Sequence, residues 1–222
     1  MKYFMIFVCV LCLSLAQAES ISFAATKSIS STNYTEGIQV SKFDSTLGTL
    51  TAVLFTLTGN IQGNVQFENK DAASATVSYG LRADMQLSYS GQNLVLAIPV
   101  STGSVAVTSY DLSQDYAGSS GRTYNGLTGS HTGTGYFTSG SLSNFNHYIG
   151  TGNITLSLQA LGTSYASGSG NMASAFVTNA GANLTVEYFY TPSNVTPSVP
   201  EPGSLFAIGL GLFLLTSYLR KK

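Results

Sequence analysis

Tryptophan is missing from this 222-residue chain, cysteine occurs twice, proline five times, and charged side chains make up only 9% of the total. Both cysteines, Cys9 and Cys12, fall in the apolar N-terminal run. The remainder therefore has no disulfide, no thiolate nucleophile and no cysteine-ligated metal, and must hold together through its core alone. Positive charge is scarce as well: residues 19–190 carry Lys27, Lys42, Lys70, Arg82 and Arg122 against nine acidic residues. Nucleic acids and anionic membranes demand concentrated positive charge, so neither is an expected partner of this body. The two histidines, His131 and His147, lack a recognisable third ligand and make a poor zinc site. The nucleophile elbow G-x-S-x-G does not occur, and no cofactor is expected.

What is present begins at the two ends. Lys2, then an apolar stretch from Tyr3 to Leu15, then Ala16-Gln17-Ala18, reads as a secretory signal peptide over residues 1–18, cleaved after Ala18 at the small residues Ala16 and Ala18. At the other end Gly203 to Leu219 is uncharged and about long enough for a membrane-spanning helix. Arg220, Lys221 and Lys222 follow it directly and would stay on the cytoplasmic side. Residues 191–198 belong to a Pro/Ser/Thr spacer expected to be extended, because proline fixes φ and removes donors.

Val199-Pro200-Glu201-Pro202, the apolar run and the basic terminus, in that order, resemble the PEP-CTERM sorting signal of exported proteins in Gram-negative bacteria. The resemblance covers residues 199–222. It implies an exosortase as partner, a temporary membrane anchor, and release or transfer of the body to the cell surface or the extracellular space. Such proteins are typical of bacteria that make extracellular polysaccharide.

Between the ends, periodicity dominates. Val53, Phe55, Leu57, Gly59, Ile61, Gly63, Val65 and Phe67 alternate strictly with polar residues from Thr56 to Glu68, which predicts one long strand or a hairpin turning near Gly59 or Gly63. A second alternation runs from Ala73 through Val77, Leu81 and Met85 to Tyr89. Leu94, Leu96, Ile98 and Val100 then shift the phase, and further strands are expected near Val105, Ile154–Ala160, Ala173–Val177 and Leu184–Tyr190. No body segment has the pattern of an amphipathic helix. Residues 19–190 thus read as one all-β domain, an antiparallel β-sandwich of jelly-roll type. Tyr110 to Gly152, dense in Gly and Ser, reads as long loops with short strands.

The succession FDSTLGTLTAV, LTGNIQGNVQFEN, YDLSQDYAGSSGRTYNGL, GTGNITLSLQALGTSYASGSGN and AGANLTVEYFY is similar to the choice-of-anchor E domain. That resemblance implies an extracellular β-rich domain and supplies no catalytic residues.

Direct evidence of chemistry is thin. Asp111 and Asp115, with Ser113 between them, set oxygens at alternate loop positions and form a weak calcium candidate. The same two carboxylates, and Glu68 with Asp71, are the candidates for acid/base work, but a glycosidase needs its pair fixed across a cleft. Tyr116, Tyr124, Tyr136 and Tyr148, set among Asn, Ser and Thr, form the candidate ligand surface, since a ring offers area and its hydroxyl a hydrogen bond. The reading is an exported, noncatalytic surface or matrix protein with a structural or adhesive role linked to polysaccharide and possible surface-protein partners. A secreted carbohydrate-active enzyme and a permanently anchored binding module are the alternatives.

Overall fold

A computed structural model describes residues 18–193. Residues 1–17 of the expected signal peptide, Ala16 among them, the motif at Val199–Pro202, the apolar run 203–219 and the basic tail Arg220–Lys222 lie outside the described residues. Ala18 is the first described residue and is exposed.

Ten strands follow one another: β1 (Glu19–Ser31), β2 (Tyr34–Ser41), β3 (Gly48–Asn69), β4 (Ala75–Tyr89), β5 (Gln92–Ala97), β6 (Val100–Val107), β7 (Gly121–Thr138), β8 (Asn153–Gly162), β9 (Tyr165–Ser167) and β10 (Met172–Pro192). A single 3₁₀ turn, Phe145–Tyr148, is the helical element among the described residues. None of the described residues forms a helix long and apolar enough to cross a membrane.

Every strand pairing is antiparallel. The first sheet has the order β1-β10-β3-β7. In the second, β4 is the long central strand: its first half pairs with β6 and β9, and its second half with β5 and β8. Short breaks at Ile98-Pro99 and Thr163-Ser164 divide what are otherwise two continuous strands; at the first, Pro99 has no N–H to donate to a ladder. Counting β5/β6 and β8/β9 as one strand each leaves eight, arranged 1-8-3-6 against 2-7-4-5. That is the strand order of a jelly roll, two Greek keys folded into facing sheets.

The core follows from the alternation. Val53, Phe55, Leu57, Ile61, Val65 and Phe67 of β3 face Val77, Leu81, Ala83, Met85 and Leu87 of β4, all nearly or fully buried. β3 runs without a hairpin for 22 residues and pairs with the 21-residue β10 along almost its whole length, from Asn69↔Met172 to Gly48↔Pro192. At about 3.3 Å per residue, this central pair is roughly 70 Å long. The two short strands expected at 173–177 and 184–190 are therefore one, which continues through Thr191 and Pro192.

Two sequence expectations need correction. The segment 110–152 contains β7, an 18-residue strand bonded to β3. Its inward positions include Gly129, Gly133 and Gly135, where a Cβ would overlap the carbonyls of Val100, Leu96 and Leu94. The edges of the two sheets close on each other there, and glycine is what lets the backbones meet. In β5 and at the start of β6 the phase also differs from expectation: Leu96 is 50% and Val100 45% exposed, while Val95 and Ala97 point inward. A bulge at Leu94, between the pairs Leu87↔Val95 and Ser88↔Asn93, moves the alternation by one residue.

The two chain ends of the body meet. Glu19 pairs with Tyr190, whose hydroxyl donates to the Glu19 carboxylate at 2.9 Å. This pole also holds the 42–47, 90–91 and 139–152 connections. The connections 70–74, 108–120 and 168–171 lie at the opposite pole.

Candidate functional site

The far pole holds the described residues with the densest polar wiring. Glu68 and Asn69 end β3, and although the alternation would turn Glu68 outward, both are fully buried beneath the 108–120 loop. The Glu68 carboxylate accepts the Tyr116 N–H at 2.8 Å and the Ser120 hydroxyl at 2.5 Å. No cation pairs with it: the ion pairs among the described residues are Lys27–Glu36 and Arg82–Asp84, while Arg122 donates to the carbonyls of Gly118 and Gly121. Asn69 donates to the carbonyls of Ala73 and Thr108, both at 2.8 Å, and accepts from Asp71 N–H and the Ser169 hydroxyl. Each loop at this pole is thus tied to the last turn of one strand.

Asp71 completes the network by accepting from the Ser169 hydroxyl and the backbone N–H groups of Asn171 and Gly170. The Ser169 bond first, then those of Asn171 and Gly170, hold its carboxyl below the usual carboxylate range. The folded form therefore binds this proton less tightly than the unfolded chain. The Asp71 contribution to stability is complete above the ordinary carboxylate pKa of about 4 and drains away as pH falls through the lower folded value. In Asp71→Asn, the protection of the 169–171 amides relative to their intrinsic exchange rates is expected to be low already at neutral pH and to lose its fall on acidification. An acid response identical to wild type would contradict this role.

Asp111 and Asp115 sit in the same loop but are spent on turns. Asp111 accepts the Ser113 N–H at 3.0 Å, and Asp115 accepts the Ala117 N–H at 3.0 Å and the Ser113 hydroxyl at 3.2 Å. Among the described residues no group of three or more His, Cys, Asp or Glu is placed to hold a metal ion.

The four tyrosines do not share a surface. Tyr124 stacks on Tyr79 at 4.4 Å and touches Phe67, near the far pole, where Tyr116 also lies. Burial, and then the Tyr124 hydroxyl, push Tyr79 up to about 12, so it stays neutral. Tyr148 is fully buried near the chain ends between Phe55 and Tyr89, its hydroxyl without a partner and its pKa raised by burial. Tyr136 is 60% exposed on the outer face of the first sheet, beside Phe189. Of the histidines, His131 accepts the Ile98 N–H through Nδ1 at the β5–β6 break, and His147 bonds the Tyr89 hydroxyl.

Among the described residues, surface depressions of about 210, 380 and 400 Å³ are lined by Asn, Gln, Ser, Thr, Gly, His and apolar residues. None of the three presents a carboxylate. A fourth feature, missed from sequence, is the outer face of the second sheet. There the Tyr165 ring lies across Gly80, beside the Arg82–Asp84 pair, at Nε–Oδ1 and Nη2–Oδ1 distances of 2.9 Å. Only the cross-strand register Gly80↔Tyr165 brings these residues together.

Beyond the body, residues 198–222 match the PEP-CTERM protein-sorting motif. The described residues are thus an all-β body with one 3₁₀ turn, and the tail beyond them matches a motif that marks exported proteins for sorting by an exosortase. No curated protein matches the chain. Among solved structures it is similar to that of infectious bursal disease virus Gt strain, at 14% identity over 95% of this chain and 51% of that one, with a TM-score of 0.12. It is also similar to the Gx strain structure, at 11% identity over 88% and 47%, TM-score 0.13, and to the VP2 subviral particle of the same virus, at 14% over 95% and 53%, TM-score 0.13. The chain spans about half the length of these viral chains. TM-scores this low establish no shared fold.

Proposed function

We propose that this is a noncatalytic surface or extracellular-matrix protein, sorted and cut by an exosortase, with a structural or adhesive role in extracellular polysaccharide. The observation that carries the reading is the sorting motif at 198–222. Before processing, the apolar run 203–219 would anchor the chain in the membrane; after it, the body would be at the surface or free in the matrix. The fold suits that delivery. Both ends of the body leave from one pole, so a tether at Ser193 would hold that pole toward the membrane and present the 70–74, 108–120 and 168–171 loops outward. Long strands with Ser, Thr, Asn and Gln on their outer faces give a neutral surface compatible with a hydrated, uncharged polymer. The similarity of the body to the choice-of-anchor E domain is in keeping with this role and rests on its motifs alone.

The test is the intact mass and C-terminal peptide of the mature protein from cells with and without the exosortase. Loss of residues 203–222 only when the enzyme is present is the expected result. Arg220–Lys222 retained in both strains would make the tail a permanent anchor and overturn the processing step.

A further inference from the structure

We infer that the outer face of the second sheet, centred on Tyr165, is a binding platform for a neutral pyranose polysaccharide; this rests on the matrix reading above and assigns its site. The residues come together through register. Gly80, Arg82, Asp84 and Gln86 point outward along β4. Their cross-strand partners are Thr102 and Tyr165 for Gly80, Val100 for Arg82, Leu161 for Asp84, and Leu96 and Gln159 for Gln86. Leu96, Val100, Leu161 and Tyr165 are each between 42% and 50% exposed, and this one face gathers them. The other large exposed apolar residues, such as Ile29, Leu112 and Val177, are scattered over β1, a loop and β10. Three strands by four rows make a field of about 10 by 20 Å.

Tyr165 is held by an absence. Gly80 has no side chain, so the ring settles across it; a Cβ there would come within 2.7 Å of Cε1, and Thr102 Cγ2 supports the same spot at 3.2 Å. Gly80 is buried as a result, although it lies on the outer face. One side of the ring is packed and the other faces water. A pyranose presents polarised C–H groups on its face, which suit the negative face of an aromatic ring. Its rim hydroxyls need planar donors and acceptors, and the Arg82–Asp84 pair, with side chains 41% and 34% exposed, offers both beside Tyr165. Because the two charges neutralise each other, the platform favours an uncharged polymer. A protein partner fits less well, since each row breaks its apolar residue with a polar one and provides no continuous apolar centre.

The experiment uses the full chain purified in a non-glycosidic detergent. Migration is measured in native gels containing either hydroxyethylcellulose or the exopolysaccharide extracted from the producing cells. Wild type is expected to be retarded in at least one gel, and Tyr165→Ala to lose at least about tenfold in affinity. Gly80→Ala, which displaces the ring but keeps it, should lose binding likewise, whereas Tyr136→Ala on the opposite sheet should bind as wild type. Thermal melts establish that each variant is folded. No retardation of wild type in either gel, or equal retardation of Tyr165→Ala, overturns the platform. So does a fall in light-scattering mass for Tyr165→Ala with unchanged migration, which would make the face a contact between copies. Cell fractionation separates this failure from that of the matrix reading: Tyr165→Ala recovered with the matrix leaves the reading standing without this site, while wild type absent from the matrix removes both.

Discussion

Gly63→Ala should lower the melting temperature of the body by about 10 °C, a loss of about 3 kcal/mol for a domain of this size. Gly63 lies inside the central β3–β10 pair, and a Cβ there would overlap the carbonyl oxygen of Val177 and meet Leu81 Cδ1 at 3.2 Å. The obstructing atom belongs to the backbone, so no rotamer change relieves it. Either β10 shifts, disturbing a ladder that runs the length of the first sheet, or β3 bends away from β4. Gly140→Ala is the control, because a Cβ there meets nothing within 4 Å. It should melt within about 1 kcal/mol of wild type. Calorimetry on the two variants decides the matter; equal melting temperatures would mean that the central pair is slacker than its contacts imply.

Glu68→Ala carries the second large effect. It would strand the buried Ser120 hydroxyl and the Tyr116 N–H and leave a void where the carboxylate sat, at a cost of about 2–4 kcal/mol. Glu68→Gln keeps the volume and one acceptor oxygen, and should cost roughly half as much. The damage should be local first. Amide hydrogen exchange is expected to speed up across Tyr116–Gly121 while the centre of β3, around Leu57 and Ile61, remains protected. Unchanged exchange in that loop would show that the carboxylate is not its anchor.

Legibility varied with what the inward positions carry. β3 and β4 could be read because their inner faces hold Val, Phe, Leu, Ile and Met against polar outer neighbours. β7 could not, because glycines occupy inward positions and its alternation has no hydrophobic amplitude. β5 went out of phase at Leu94 because a bulge leaves no mark in a count of alternate residues. The role of Glu68 was hidden for another reason: its burial comes from a loop some fifty residues later in the chain. Tyr165 sits in GTSYASGSG, which resembles a linker until pairing places it over Gly80. The sorting tail was open to reading from sequence because its recognition depends on the order of short segments and on no packed neighbour.

The position of β10 bears on mechanics. The strand that leads to the tail is bonded along one side to β1 and along the other to β3. Were the body gripped on its second sheet while its tail stayed fixed, the pull would run parallel to β10. The backbone bonds on both flanks would then bear the strain together, in shear. An edge strand pulled along the same line would load one ladder; this one loads two. A body tethered as proposed would therefore meet a pull along β10 with two ladders loaded together.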